Sequence, residues 1–306
     1  MQSTQQNTRM PPGQMVDLGG FRLHAMVGGQ GAPTVVLEPG LGGFAQQYLH
    51  IQPRVAAFTR VVAYDRAGQG WSETSPNPRT PENLAGELKA LLGQLDLQPP
   101  YVLVGHSFGG LLARIYSGLH PEEVVGMVLV DSSDVDQYQF LPDIDKYLRQ
   151  MAVGVGVMKF ASKVGLGRWL TKLSLGSAVK SLSKADLDTF LHAASQPRHH
   201  ETVLAEFSEH SRYFGAASEV PDRFGDLPMV VVTAGKSVSG SSKVGALTAD
   251  QINEAHQVMQ RQLVQASTRG EHVVIPEATH LSILTQPEYA AQVVEVIRRI
   301  VERSRL

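Results

Sequence analysis

The chain has 306 residues, 42% of them hydrophobic, which is enough for one large core or a core plus an insertion. A formal net charge of −2 and a pI near 6.6 leave no basic excess for a nucleic-acid backbone, so the expected partner is a small molecule. With no cysteine, a disulfide framework, a thiolate metal site and a cysteine nucleophile are excluded.

The opening MQSTQQNTRM is polar and lacks the apolar run of a secretory signal. No later stretch reaches the ~18 apolar residues of a membrane span, so the expectation is a cytoplasmic protein with no integral span. Short Val-rich runs then predict strands at Thr34 to Leu37, Arg60 to Tyr64, Tyr101 to Val104, Val124 to Val130 and Met229 to Thr233. Between and after them, Pro81 to Leu95, Leu111 to Leu119 and Pro287 to Val301 repeat apolar residues at three- and four-residue spacing and predict helices. Strands apolar throughout and alternating with helices indicate the α/β class, with a mostly parallel sheet covered on both faces. The alternation stops between Asp134 and about Pro221, where helical patterns are broken by glycines and no strand is evident. That segment reads as a helical insertion, giving a core of 1–133 and 222–306 and a cap of 134–221. The Ser/Gly-rich stretch 236–245 reads as one loop.

The strand from Tyr101 to Val104 runs straight into Gly105-His106-Ser107-Phe108-Gly109-Gly110, and a helix follows. A G-x-S-x-G pattern is weak by itself and strong at a strand-to-helix turn, where the glycines permit a backbone so tight that the serine projects above the sheet. Ser107 also stands at a helix N-terminus, whose unpaired N–H groups and dipole favour an oxyanion. His106, in the variable position, reads as a packing residue.

These residues resemble the α/β-hydrolase family. The likeness runs from about Val16 to the C-terminal helix, and the insertion stands where that family carries its cap. It implies a central, mostly parallel sheet with the cap inserted after the sixth strand. Glu38-Pro39-Gly40-Leu41-Gly42-Gly43 is similar to the family's His-Gly loop, with Pro39 where the family usually has His. By this likeness the backbone N–H groups of Leu41 and Phe108 form the oxyanion hole. Tyr64-Asp65-Arg66-Ala67-Gly68-Gln69-Gly70-Trp71-Ser72 resembles the family's turn after the fourth strand, and Asp65 is assigned a structural role because it precedes the serine.

Nucleophilic attack needs a base for the Ser107 proton, and histidine suits both accepting and returning it. Of eleven histidines, His280 has the setting of the family's base: the strand-like His272-Val273-Val274-Ile275 precedes it and a helix begins near Pro287. His24 reads as a core or edge residue. His192, His199, His200 and His210 fall in the insertion without a convincing carboxylate partner, so no metal is expected. The common position of the acid, after Met229 to Thr233, reads Ala234-Gly235-Lys236-Ser237-Val238-Ser239 and offers no carboxylate. Part of the family takes its acid from the preceding strand end, which here is Asp131, 24 residues after the serine; Asp134 and Asp250 are the alternatives.

Residues 151–184 carry six basic side chains and no acidic one, interleaved with apolar residues that include Trp169. A basic amphipathic lid over an anionic or membrane-associated substrate and a solvated face over an apolar tunnel are the two readings. Trp169 is a candidate substrate contact. The resemblance implies a cofactor-free serine hydrolase acting on a carboxylic ester or lactone with an apolar part. Thioesterase, amidase, C–C hydrolase and cofactor-free haloperoxidase chemistry stay open, as does a slow-turnover ligand receptor, because fold does not settle chemistry. A serine nucleophile argues against the family's dehalogenases and epoxide hydrolases, which use aspartate.

Overall fold

Eight strands form one sheet in the order β1-β2-β4-β3-β5-β6-β7-β8. They are β1 (Gln14–Asp17), β2 (Arg22–Gly28), β3 (Thr34–Glu38), β4 (Val61–Tyr64), β5 (Tyr101–His106), β6 (Val124–Val130), β7 (Met229–Ala234) and β8 (Gly270–Ile275). The computed structural model describes residues 10–141, 143–219, 224–238 and 247–305. Residues 1–9 of the polar opening and 239–245 of the Ser/Gly-rich loop lie outside the described residues. β1 pairs with β2, and β2 with β4, antiparallel; every other pairing is parallel.

Period-two alternation explains why whole strands are apolar. Val35, Leu37, Val102, Val104, Val128, Val130, Val230 and Val232 enter one core, which the C-terminal helix Pro287–Arg303 closes with Val293, Ile297 and Ile300. Val36, Leu103, Met127, Leu129 and Val231 point the other way, into a second core with Leu88, Leu91 and Leu92 of α1 (Pro81–Gln94) and Tyr116 of α2 (Phe108–Leu119). With both faces covered, the sheet can offer only the carboxyl ends of its strands to a ligand, the position that open α/β sheets use for binding.

Between β6 and β7 the described residues form helices joined by turns and no strand. After a single turn come α3 (Ile144–Lys163), α4 (Gly167–Leu175), α5 (Lys184–Ala194), α6 (Pro197–Ser208) and α7 (His210–Glu219). A later helix, α8 (Ala249–Leu263), starts from a Thr248/Gln251 capping box and packs beside β7.

Candidate active site

Ser107 has φ 54° and ψ −126°, in the left-handed region that a side chain rarely adopts. Its neighbours show why the turn tolerates nothing larger than glycine. A Cβ on Gly105 would stand 2.4 Å from the Gly109 carbonyl oxygen, and one on Gly109 would stand 2.3 Å from that of Glu38. Bonds on both sides hold the strained residue: its N–H donates to the Val130 carbonyl at 3.0 Å, and its carbonyl accepts from Ser133 N–H at 3.0 Å.

The Ser107 hydroxyl lies 2.9 Å from His280 Nε2, and His280 Nδ1 lies 2.6 Å from Asp131 Oδ2. An ionised carboxylate only accepts, so the ring proton sits on Nδ1 and Nε2 is left to accept from the serine. The loop carrying His280 is itself tied down, since His280 N–H donates to the Ser237 carbonyl at 3.3 Å and its carbonyl accepts from His106 Nε2 at 2.9 Å. Burial pushes the His106 imidazole down to about 3, so it stays neutral and keeps the single N–H that this bond uses. The packing residue of the sequence reading thus also fixes the His280 backbone.

Asp131 closes β6 at φ 45° and is fully buried. Besides His280 it accepts from Ala234 N–H at 2.9 Å, from the Ser237 hydroxyl at 2.7 Å and from His256 Nε2 at 2.8 Å. Burial alone would raise its pKa; His256 and His280 outweigh that and hold the carboxyl well below its ordinary range. Burial works to lower His256, yet the Asp131 charge and hydrogen bond raise it above its ordinary value. One carboxylate therefore bridges two imidazoles. His256 was not singled out by the sequence reading, although a signal existed: Ile252, His256, Met259 and Leu263 recur at four- and three-residue spacing, which places a histidine on the inward stripe of α8. The other candidate acids go elsewhere. Asp134 faces Arg114 at 3.5 Å, and Asp250 is exposed in the first turn of α8.

The loop after β3 borders the serine: a Cβ on Gly40 would stand 3.2 Å from Ser107 Cβ. Arg66, from the turn after β4, grips this loop by the Pro39 carbonyl and, at 2.7 Å, by the Gly40 carbonyl. In a trans peptide the N–H opposes the carbonyl, so this grip turns Leu41 N–H away from Arg66 and fixes its direction. Phe108 opens α2, where first-turn N–H groups have no partner within the helix. The remaining bonds of Arg66 are ionic, to Glu38 at 2.8 Å and to Glu206 of α6 at 3.0 Å, and Arg79 meets the same Glu206 at 2.5 Å. Arg66, Glu38 and Glu206 are all buried. Burial works against the Glu206 charge, yet Arg66 and Arg79 hold its carboxyl down at about 2. Asp65 is structural in geometry, accepting from Ala45 N–H, Trp71 N–H and His24 Nδ1 within the core.

Four cap histidines disperse. Gly70 N–H donates to His199, His200 bonds Ser162, His210 bonds Tyr138, and His192 stacks on Trp71. Trp169 lies on α4 and is 66% exposed, so the structure does not bring it to Ser107. A small surface hollow lies near the site, lined on the core side by Gln46 and His50, by Leu175, Val179 and Phe190 from the helices between β6 and β7, and by Leu281, the residue after His280; Ser107 is not among its lining residues.

A family model described as "Alpha/beta hydrolase family" matches residues 35–294. The chain is 34% identical over 131 residues to a 2-hydroxy-6-oxononadienedioate/2-hydroxy-6-oxononatrienedioate hydrolase of Paraburkholderia xenovorans, a match covering 40% of this chain and 44% of that protein. The chain spans between a fifth and just under half of the length of the curated relatives it matches. Among solved structures, a thermophilic esterase from Thermogutta terrifontis superposes with a TM-score of 0.61 at 18% identity, covering 92% of this chain and 94% of that one. The haloalkane dehalogenase DatA from Agrobacterium tumefaciens superposes at 0.65 with 21% identity, covering 94% and 96%. Likeness at such identities speaks for the fold alone.

Proposed function

The chain belongs to the alpha/beta hydrolase family, and we propose that it is a serine hydrolase cleaving carboxylic esters or lactones with an apolar part. The observation that carries this reading is the line of contacts from the Ser107 hydroxyl through His280 to Asp131. Ser107 Oγ attacks the carbonyl carbon while its proton passes to His280 Nε2. The resulting oxyanion is received by the N–H groups of Leu41 and Phe108, each such donor being worth ~10²- to 10³-fold in rate. Collapse of the tetrahedral intermediate expels the alcohol, which takes the proton back from His280 and leaves an acyl-Ser107. Water, activated by the same ring, then releases the acid and frees the serine. The helices between β6 and β7 serve as the cap, and the apolar side chains of Leu175, Val179 and Phe190 that they present near Leu281 suit the substrate's apolar moiety.

A serine in this position separates the chemistry from aspartate-based dehalogenation and epoxide opening. Whether the scissile bond is an ester, thioester, amide or C–C bond is decided by profiling each class with Ser107→Ala as the blank. A phosphonate or sulfonyl fluoride should label the protein once, on the peptide that holds Gly105 to Gly109. An adduct on any other peptide would remove Ser107 as nucleophile.

A further inference from the structure

An amphipathic helix normally turns its apolar stripe inward. The hairpin of α3 and α4 does the opposite over part of its length. Val153, Val157, Phe160 and Val164 follow one another at four-, three- and four-residue spacing, the period of a single helix face, and are 70%, 56%, 68% and 52% exposed. Beyond the turn, Leu166 at the start of α4 and Trp169 and Leu173 on it repeat the pattern at 57%, 66% and 63%. Their solvation is unfavourable, and so consistent a stripe marks a surface that something covers. The side of the hairpin turned to water thus carries apolar residues.

The charges carried by 151–184 say what covers it. No acidic residue occurs in 151–184. Lys159 and Lys163 share Glu201 of α6, and Arg168 meets Asp188 of α5, so these three cations lean back onto the cap. Lys172, Lys180 and Lys184 are exposed. A second copy seated on the same face would bring one lysine group against another. An anionic bilayer answers both features: acyl chains take the apolar stripe, phosphates take the lysines, and the amphipathic indole of Trp169 suits the boundary between them. No helix among the described residues is long and apolar enough to cross a membrane, so the contact is peripheral.

We propose that the α3–α4 hairpin docks this protein onto the surface of an anionic phospholipid bilayer. The inference does not depend on the serine chemistry. Its test is flotation of the full chain with phosphatidylcholine vesicles, made with and without phosphatidylglycerol. Wild type and Ser107→Ala should both float with the anionic vesicles, at least ~tenfold more than with the neutral ones. Phe160→Ser combined with Trp169→Ser should lower that binding ~tenfold while leaving circular dichroism and melting unchanged, because both side chains are exposed. Lys172→Glu with Lys180→Glu should abolish the preference for anionic lipid. Failure of wild type to float with either vesicle, equal binding to both, or a wild-type dimer that the Phe160/Trp169 variant disperses would each overturn the proposal.

Discussion

Asp131 accepts four donors, and two of them are imidazoles, so substitutions there separate its jobs. Asp131→Asn keeps the size but can offer an amide N–H to His280, favouring the tautomer that cannot accept from Ser107; kcat should fall ~10²- to 10⁴-fold, read beside a thermal melt. Asp250→Asn, at an exposed helix start, should change kcat less than about threefold and leave the melt within the ~1 kcal/mol of a helix-terminal effect. His256→Gln retains a neutral N–H near Asp131 but removes a charge. The folded pKa of His256 is raised above its unfolded value of ~6.5, so its charge stabilises the fold fully below that pH and progressively less as pH rises through the folded pKa. The gap in Tm between wild type and His256→Gln should therefore be widest in mild acid and narrow toward alkaline pH. A gap that is constant, or that grows with pH, would mean His256 is neutral against Asp131.

Elements were legible where local pattern and tertiary fate agree. Strands buried on both faces read as unbroken Val runs, and the turn at Ser107 read from its strand, glycines and helix start, because a Cβ on Gly105 or Gly109 would meet a backbone oxygen within 2.4 Å. The carboxylate that meets His280 was legible only as a choice among several, since which strand end faces His280 depends on the sheet order. His256 went unread because its partner lies 125 residues away and nothing local distinguishes a histidine on a buried stripe from a packing residue. Trp169 shows the converse limit: periodicity marks an apolar face without saying which way it points, and here that face points outward. The turn at Ser107 also couples two elements, since a Cβ on Gly109 of α2 would stand 2.3 and 2.6 Å from the carbonyl oxygens of Glu38, at the end of β3, and Pro39. Gly109→Ala should push the loop after β3 away from Ser107, costing about 1–3 kcal/mol of stability and, if that loop receives the oxyanion as proposed, lowering kcat more than it raises KM. Unchanged kcat in a folded Gly109→Ala protein would detach that loop from the chemistry.

At the scale of the molecule, the helices between β6 and β7 are joined to the core by charge as well as by apolar packing. Glu206 belongs to α6, Arg66 and Arg79 to the turn and loop after β4, and Arg66 also holds the Pro39 and Gly40 carbonyls of the loop after β3. Cap seating and the direction of Leu41 N–H thus share one guanidinium. Glu206→Gln would leave two arginines with less opposing charge in a buried site, and a loss of roughly 3–5 kcal/mol is expected for breaking such a pair. The pH dependence has a definite sign. The carboxyl is held at about 2, whereas an unfolded glutamate titrates near ~4.3, so its contribution is present above ~4.3 and is lost as pH falls toward 2. Wild type should melt in one transition near neutrality and, as pH falls below ~4, become sensitive to proteolysis first within 134–221 while activity disappears with it. Glu206→Gln should show that sensitivity already at neutral pH and much less further change on acidification. Cleavage confined to other regions in both proteins would mean that the buried Arg–Glu cluster does not seat the cap, and that apolar contacts such as Phe44 against Phe190 hold it alone.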